Sequence, residues 1–164
     1  MRIAAPRLVL LGGILAGVTI LADQASKWWL LNGPMEQPRV IELTPFFNLV
    51  TAWNRGVSFS LLHTDSASGP FILSAVSVVI SIALAIWLLR VSKPLPAVGI
   101  GLVIGGALGN VIDRLRFGAV FDFLDVYWGN YHWPAFNLAD SAITTGVVLL
   151  LLDGLFHGSE QGKN

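Results

Sequence analysis

Four long apolar runs limit what this chain can fold into. They cover about residues 8–31, 71–89, 95–112 and 138–156 of 164. Each comes close to the roughly 20 residues that an α-helix needs to cross a hydrocarbon core of about 30 Å. Lipid offers the backbone no hydrogen bonds, so each run is expected to pair its own N–H and C=O groups as a helix. Composition agrees. Charged residues make up 12% of the chain and hydrophobic residues 54%, whereas a water-soluble domain carries about 25% charged residues. The expected fold is an α-helical integral membrane protein with four transmembrane helices, forming one membrane-embedded domain over residues 1–164. The formal net charge is zero, which gives nucleic acid no basic field to bind. There is no cysteine, which excludes disulfides, thiolate metal sites and a cysteine nucleophile.

The first run also has the outline of a signal peptide, with Arg2 and Arg7 ahead of an apolar stretch. It continues, however, into Asp23-Gln24-Ala25-Ser26-Lys27-Trp28-Trp29 without a small-x-small cleavage site. A retained helix is the better reading.

Four spans put both termini on one side of the membrane. The short turn at residues 90–94 lies on that side too, and the longer connections, 32–70 and 113–137, lie opposite. Lys and Arg divide evenly: Arg2, Arg7, Arg90, Lys93 and Lys163 against Lys27, Arg39, Arg55, Arg114 and Arg116. Arg90 and Lys93 crowd one short turn, and Arg2 and Arg7 precede the first span. This arrangement favours cytoplasmic termini and extracytoplasmic long loops. In those loops Val40-Ile41-Glu42-Leu43 and Phe47–Trp53 are rich in β-branched and aromatic residues, so short strands are expected. Asn54-Arg55-Gly56 is a turn signal, and a short interfacial helix is expected near residues 120–130. Trp28, Trp29, Trp53, Tyr127, Trp128, Tyr131 and Trp133 gather on this face, where indole and phenol rings favour the headgroup layer.

The polar residues gather on the same face. Asp23 lies near the far end of the first span, roughly 24 Å along the helix from Arg7. Asn110 and Asp113 lie near the far end of the third span, Asp140 lies in the first turn of the fourth, and Asn54, Arg55 and Asp122 lie in the loops. Acids at the edge of lipid are candidates for function. Two carboxylates held close share a proton. The ionised one can then deprotonate water while the protonated one bonds a scissile carbonyl. Asp122 and Asp140 are the best such pair. Spacing leaves a simpler account open, since Asn137-Leu138-Ala139-Asp140 is also a capping-box variant and Asp122 could be an interfacial acid with Asp125 one helical turn away. Asp23 and Lys27, at i and i+4, suit a local ion pair. Asn110, Asp113 and Arg114 share a helix face, where Gly105, Gly106 and Gly109 permit close approach. Arg114 could grip a carbonyl or a phosphate. His63, His132 and His157 lack metal-ligand spacing, and Ser58, Ser60 and Ser141 lack an obvious base.

Five segments occur in an order that resembles the bacterial lipoprotein signal peptidases, the type II signal peptidases. They are Asp23–Lys27, Asn54-Arg55-Gly56-Val57-Ser58-Phe59, Gly109-Asn110-Val111-Ile112-Asp113-Arg114, Val120-Phe121-Asp122-Phe123 and Phe136-Asn137-Leu138-Ala139-Asp140-Ser141. The resemblance covers nearly the whole chain. It implies an aspartyl endopeptidase that removes the signal peptide from prolipoproteins, cutting on the amino side of a diacylglyceryl-modified cysteine. By the same resemblance Asp122 and Asp140 are the catalytic dyad. Asn54, Asn110 and Arg114 position substrate, and Asp23, Asp113 and Asn137 support that geometry. Lys27, Gly56, Gly109 and Ala139, inside the same motifs, join the supporting set. No cofactor and no metal is implied. The implied partners are lipid-modified prolipoprotein, membrane lipid and lipopeptide inhibitors such as globomycin. The implied setting is the bacterial inner membrane, with a monomer acting at its extracytoplasmic face. Rival readings are a transporter or proton carrier, with acids in the spans forming a relay, and a Mg²⁺-dependent lipid phosphotransferase using Asp113, Asp122, Asp125 and Asp140.

Overall fold

The third helix is the axis of the molecule. In the computed structural model, which describes residues 4–56 and 68–158, helices α1 (Pro6–Leu31), α2 (Gly69–Leu88), α3 (Pro94–Phe117) and α4 (Leu138–Gly158) are each long and apolar enough to cross a membrane. Helix α3 is mostly buried, and α1, α2 and α4 pack around it with most of their surface outward. Exposed Leu21, Phe71, Val79 and Leu155 give that outer surface the character of a lipid contact. Arg2, Val57, Ser58, Phe59, Ser60, His63, Lys163 and the side chain of His157 lie outside the described residues.

Small residues explain the central place of α3. A β-carbon at Gly101 would come 2.5 Å from Gly12 O on α1, and one at Gly105 would come 2.7 Å from Ala16 O. On the other side, a β-carbon at Gly106 would strike Ala139 O of α4. Close backbone approach of this kind replaces the hydrophobic drive that lipid does not provide. The helix runs five residues past the expected end of its span, to Phe117. Hydropathy falls after Ile112 but hydrogen bonding does not. Termination comes at Gly118, whose φ of 69° is the left-handed cap glycine adopts most easily and whose N–H reaches Arg114 O at 3.0 Å.

The two long connections build a four-stranded antiparallel sheet in the order β1 (Ile41–Thr44), β2 (Phe47–Asn54), β3 (Val120–Trp128), β4 (Tyr131–His132). The first two strands fall where β-branched and aromatic residues predict them. Strand β3 replaces the interfacial helix expected near 120–130. Val120, Phe121, Phe123, Val126, Tyr127 and Trp128 favour a pleated surface. Pairing with β2, including Ala52 opposite Asp122 and Asn54 opposite Val120, satisfies a backbone that a lone interfacial helix would have paired within itself. Phe121 and Phe123 pack on Leu30 and Met35, fixing the sheet to the end of α1.

The chain then folds back on β3. Phe136 exchanges hydrogen bonds with Leu124, N–H to O at 3.0 Å and O from N–H at 2.8 Å. This return places the start of α4 beside Asp122. Both long connections lie at one end of the bundle. At the other end Ala4 N–H bonds Leu89 O at 2.8 Å, tying the chain start to the α2–α3 turn.

Candidate active site

Asn137 is the residue around which the site is assembled. It is fully buried as the N-cap of α4. Its Oδ1 accepts the N–H of Asp140 at 2.9 Å, and Asp140 Oδ2 accepts the N–H of Asn137 at 3.2 Å. This is a reciprocal capping box. The same side chain donates through Nδ2 to Asp122 Oδ1 at 2.7 Å. One amide therefore holds both acids, and capping is part of how the pair is positioned.

The other expected residues converge here. Asn110 Nδ2 donates to Asp140 Oδ1 at 2.8 Å, and its Oδ1 receives Asn137 Nδ2 at 3.2 Å. Asn54, at the end of β2, hydrogen-bonds Asp122 through its side chain. Its Oδ1 accepts Gly56 N–H at 2.8 Å, closing a turn in which Gly56 has φ 91°. Arg114 lies within electrostatic reach of Asp140, Asp122 and Asp113. Its buried Nε has no hydrogen-bond partner among the described residues, so the guanidinium retains capacity to bind something brought to the acids.

Behind Asp122 and Asp140, Lys27 Nζ pairs with Asp23 Oδ2 at 2.9 Å, as the i, i+4 spacing predicts. It also pairs with Asp113 Oδ2 at 2.8 Å, which the spacing does not. Gln24 belongs to the same polar cluster, although sequence reasoning did not single it out. Its Nε2 reaches Asp113 Oδ1 at 2.9 Å and Gly109 O at 3.2 Å. The signal was present, as an amide inside an apolar run. Gly109 is small by necessity, because a β-carbon there would lie 2.8 Å from Asp23 Oδ2. Ala139 is fully buried and gives its N–H to Asp23 Oδ1 at 3.1 Å.

Burial, then the charge of Asp140, pushes Asp122 up to about 6 from 3.8, and hydrogen bonds from Asn54 and Asn137 and the charge of Lys27 only partly oppose this. Such a carboxyl exchanges protons near neutral pH, as acid–base catalysis requires. Asp125 belongs elsewhere. On a strand rather than a helix it is not stacked one turn from Asp122, and it holds Asn48 Nδ2 at 3.1 Å and His132 Nδ1 at 2.9 Å. An open cavity of about 360 Å³ lies over the site, lined by Ala52, Trp53, Asn54, Arg55, Asp122, Pro134 and Ala135.

Residues 15–156 match the family Signal peptidase (SPase) II. The chain belongs to the signal peptidase II family. Among similar proteins, the lipoprotein signal peptidase of Methylorubrum extorquens (strain PA1) is 48% identical over 87% of this chain and 85% of its own. That of Beijerinckia indica is 44% identical over 93% and 91%. A bacterial membrane enzyme solved by the in meso method at 2.3 Å resolution superposes with TM-score 0.78 at 29% identity, covering 93% of this chain and 92% of that one. A second, at 1.9 Å, gives 0.74 at 30% identity over 87% and 90%. This member of the signal peptidase II family is thus a multi-pass membrane protein and a peptidase. Its buried polar cluster sits at the end of the bundle that carries the sheet.

Proposed function

We propose that the chain is an aspartyl endopeptidase that removes the signal peptide from diacylglyceryl-modified prolipoproteins, cutting on the amino side of the lipidated cysteine. The single observation that carries the mechanism is the Asn137 amide bonded to both Asp122 and Asp140. In the reaction, one carboxylate takes a proton from water as the water oxygen attacks the scissile carbonyl carbon. The protonated partner bonds the carbonyl oxygen and stabilises the tetrahedral intermediate. A proton then passes to the cysteine nitrogen as the C–N bond breaks. Asn110, Asn54 and Arg114 border this position and suit the substrate backbone. Asp23, Lys27, Gly56, Gly109, Asp113, Asn137 and Ala139 hold the frame.

Membrane anchorage of the substrate explains why a lipid matters. Each buried methylene contributes about 0.8 kcal/mol, so two acyl chains keep the scissile bond at the interface where the dyad lies. Remote binding of this kind can orient the reacting bond. In this reading, residues 1–164 form one domain in the bacterial inner membrane, a monomer with cytoplasmic termini and its site at the extracytoplasmic face. Lipopeptides such as globomycin would compete for the same cavity.

The test is cleavage of a purified lipidated prolipoprotein by folded Asp122→Asn and Asp140→Asn proteins. Both should be inactive, and the unlipidated substrate should be a poor one for the unmodified enzyme. Full activity in either variant would overturn the dyad.

A further inference from the structure

Lys27 is 3% exposed on a helix most of whose surface faces outward. A buried ammonium persists only where its three protons find acceptors. Its acceptors are Asp23 Oδ2 at 2.9 Å, Asp113 Oδ2 at 2.8 Å and Asn110 Oδ1 at 3.4 Å. An ion pair with Asp23 alone would leave two of those protons without acceptors, and the partners on α3 supply them.

Gln24 Nε2 also donates to both carboxylates, to Asp23 Oδ2 at 3.2 Å and Asp113 Oδ1 at 2.9 Å, as a neutral bridge beside the charged one. Each carboxylate has a further bond that ends beside a catalytic acid. Asp23 Oδ1 accepts the N–H of Ala139, the residue before Asp140, at 3.1 Å. Asp113 Oδ2 accepts the N–H of Phe121, the residue before Asp122, at 3.1 Å. Asn110 completes the set. Its Oδ1 faces two donors, Lys27 Nζ and Asn137 Nδ2, so its NH₂ end is left for Asp140 Oδ1. A reversed amide would set donor against ammonium.

We propose that Lys27 is a positioning residue for the reaction: one ammonium yokes Asp23 to Asp113 and thereby sets the separation of Asp122 and Asp140 and the orientation of the Asn110 amide. The role rests on the aspartyl-peptidase reading above. Lys27 acts through its neighbours and does not touch substrate. An ammonium suits the task because it is a compact point charge that can serve three acceptors, where a guanidinium is a planar fork. The charged groups around Lys27 and the Asp122 on which its charge acts are Asp23 on α1, Asp113, Arg114 and Arg116 on α3, and Asp140 on α4.

Two variants of the full chain in detergent test the yoke. Lys27→Met removes it. Lys27→Met combined with Asp113→Asn removes it at unchanged formal charge, and the asparagine oxygen can still accept the Phe121 N–H. A misplacement of about 1 Å at reacting groups can cost about 100-fold. We therefore expect kcat on a lipidated prolipoprotein to fall about 10- to 100-fold in both variants, with KM changed less than about twofold. The acid limb of the kcat profile should move to higher pH in Lys27→Met, because the lysine charge is one of the influences holding Asp122 down. Thermal unfolding identifies folded protein, and if the single variant does not fold the double variant carries the test. Wild-type kcat in a folded variant would overturn the yoke, as would a loss of active enzyme in Lys27→Met with an unmoved pH limb. Asp122→Asn and Asp140→Asn run alongside. Activity there overturns the dyad itself, whereas inactivity there with wild-type Lys27 variants overturns the yoke alone.

Discussion

Replacing Asp122 by asparagine should stabilise the fold at neutral pH while abolishing turnover. Asp122 is 2% exposed and titrates at about 6 against an ordinary 3.8. The folded state therefore holds this proton to higher pH than the unfolded chain does. Stability falls as pH rises from about 4 to about 6 and is level above that. At about 1.4 kcal/mol for each tenfold change in proton affinity, ionising Asp122 costs the fold at most about 3 kcal/mol at pH 7. Asparagine cannot ionise, and it keeps an oxygen for the Asn137 Nδ2 donor at 2.7 Å. Its NH₂ group meets the Asn54 amide less well, which lowers the gain by about 1 kcal/mol. For a domain of this size, about 2 kcal/mol corresponds to a rise of roughly 4–8 °C in unfolding midpoint. The assay is thermal unfolding of purified protein in one detergent from pH 4 to pH 8, wild type against Asp122→Asn. The variant should gain stability over the wild type between pH 4 and pH 6. A variant less stable than wild type at pH 8, or a difference that does not change with pH, would refute the reasoning.

Two further changes separate positions inside the site from one beside it. Gly109→Ala forces a β-carbon to within 2.8 Å of Asp23 Oδ2, the atom that pairs with Lys27, so it should cost about 1–3 kcal/mol and reduce turnover; wild-type unfolding and kinetics would show that the helices can separate freely there. Asp125→Asn weakens only the contacts to His132 and Asn48, so turnover should be unchanged and stability should fall by no more than about 1 kcal/mol; inactivation matching that of Asp122→Asn would place Asp125 in the chemistry.

Much of this protein is legible in local sequence. Hydropathy over about 20 residues yields the four spans, because lipid forces each apolar run to close its own hydrogen bonds. The i, i+4 spacing foretells the Asp23–Lys27 pair, and Asn137 with Asp140 three residues later foretells the cap of α4. The β-branched and aromatic segments foretell β1 and β2. Each of these depends on neighbours in the chain. Tertiary structure decided the rest. Residues 120–130 form a strand because β2 is there to pair with them. Asp122 and Asp125, three residues apart, go to different clusters because strand geometry and the fold-back at Phe136 separate them. Helix α3 is central because its glycines meet backbone from two other helices, and Lys27 finds Asp113 only through that packing. The cluster around Asp122 and Asp140 draws on β2, β3, α3 and α4. Periodicity and spacing record what a residue's neighbours require of it, and the meeting of distant acids is settled only when glycine-lined helices and paired strands close on one another.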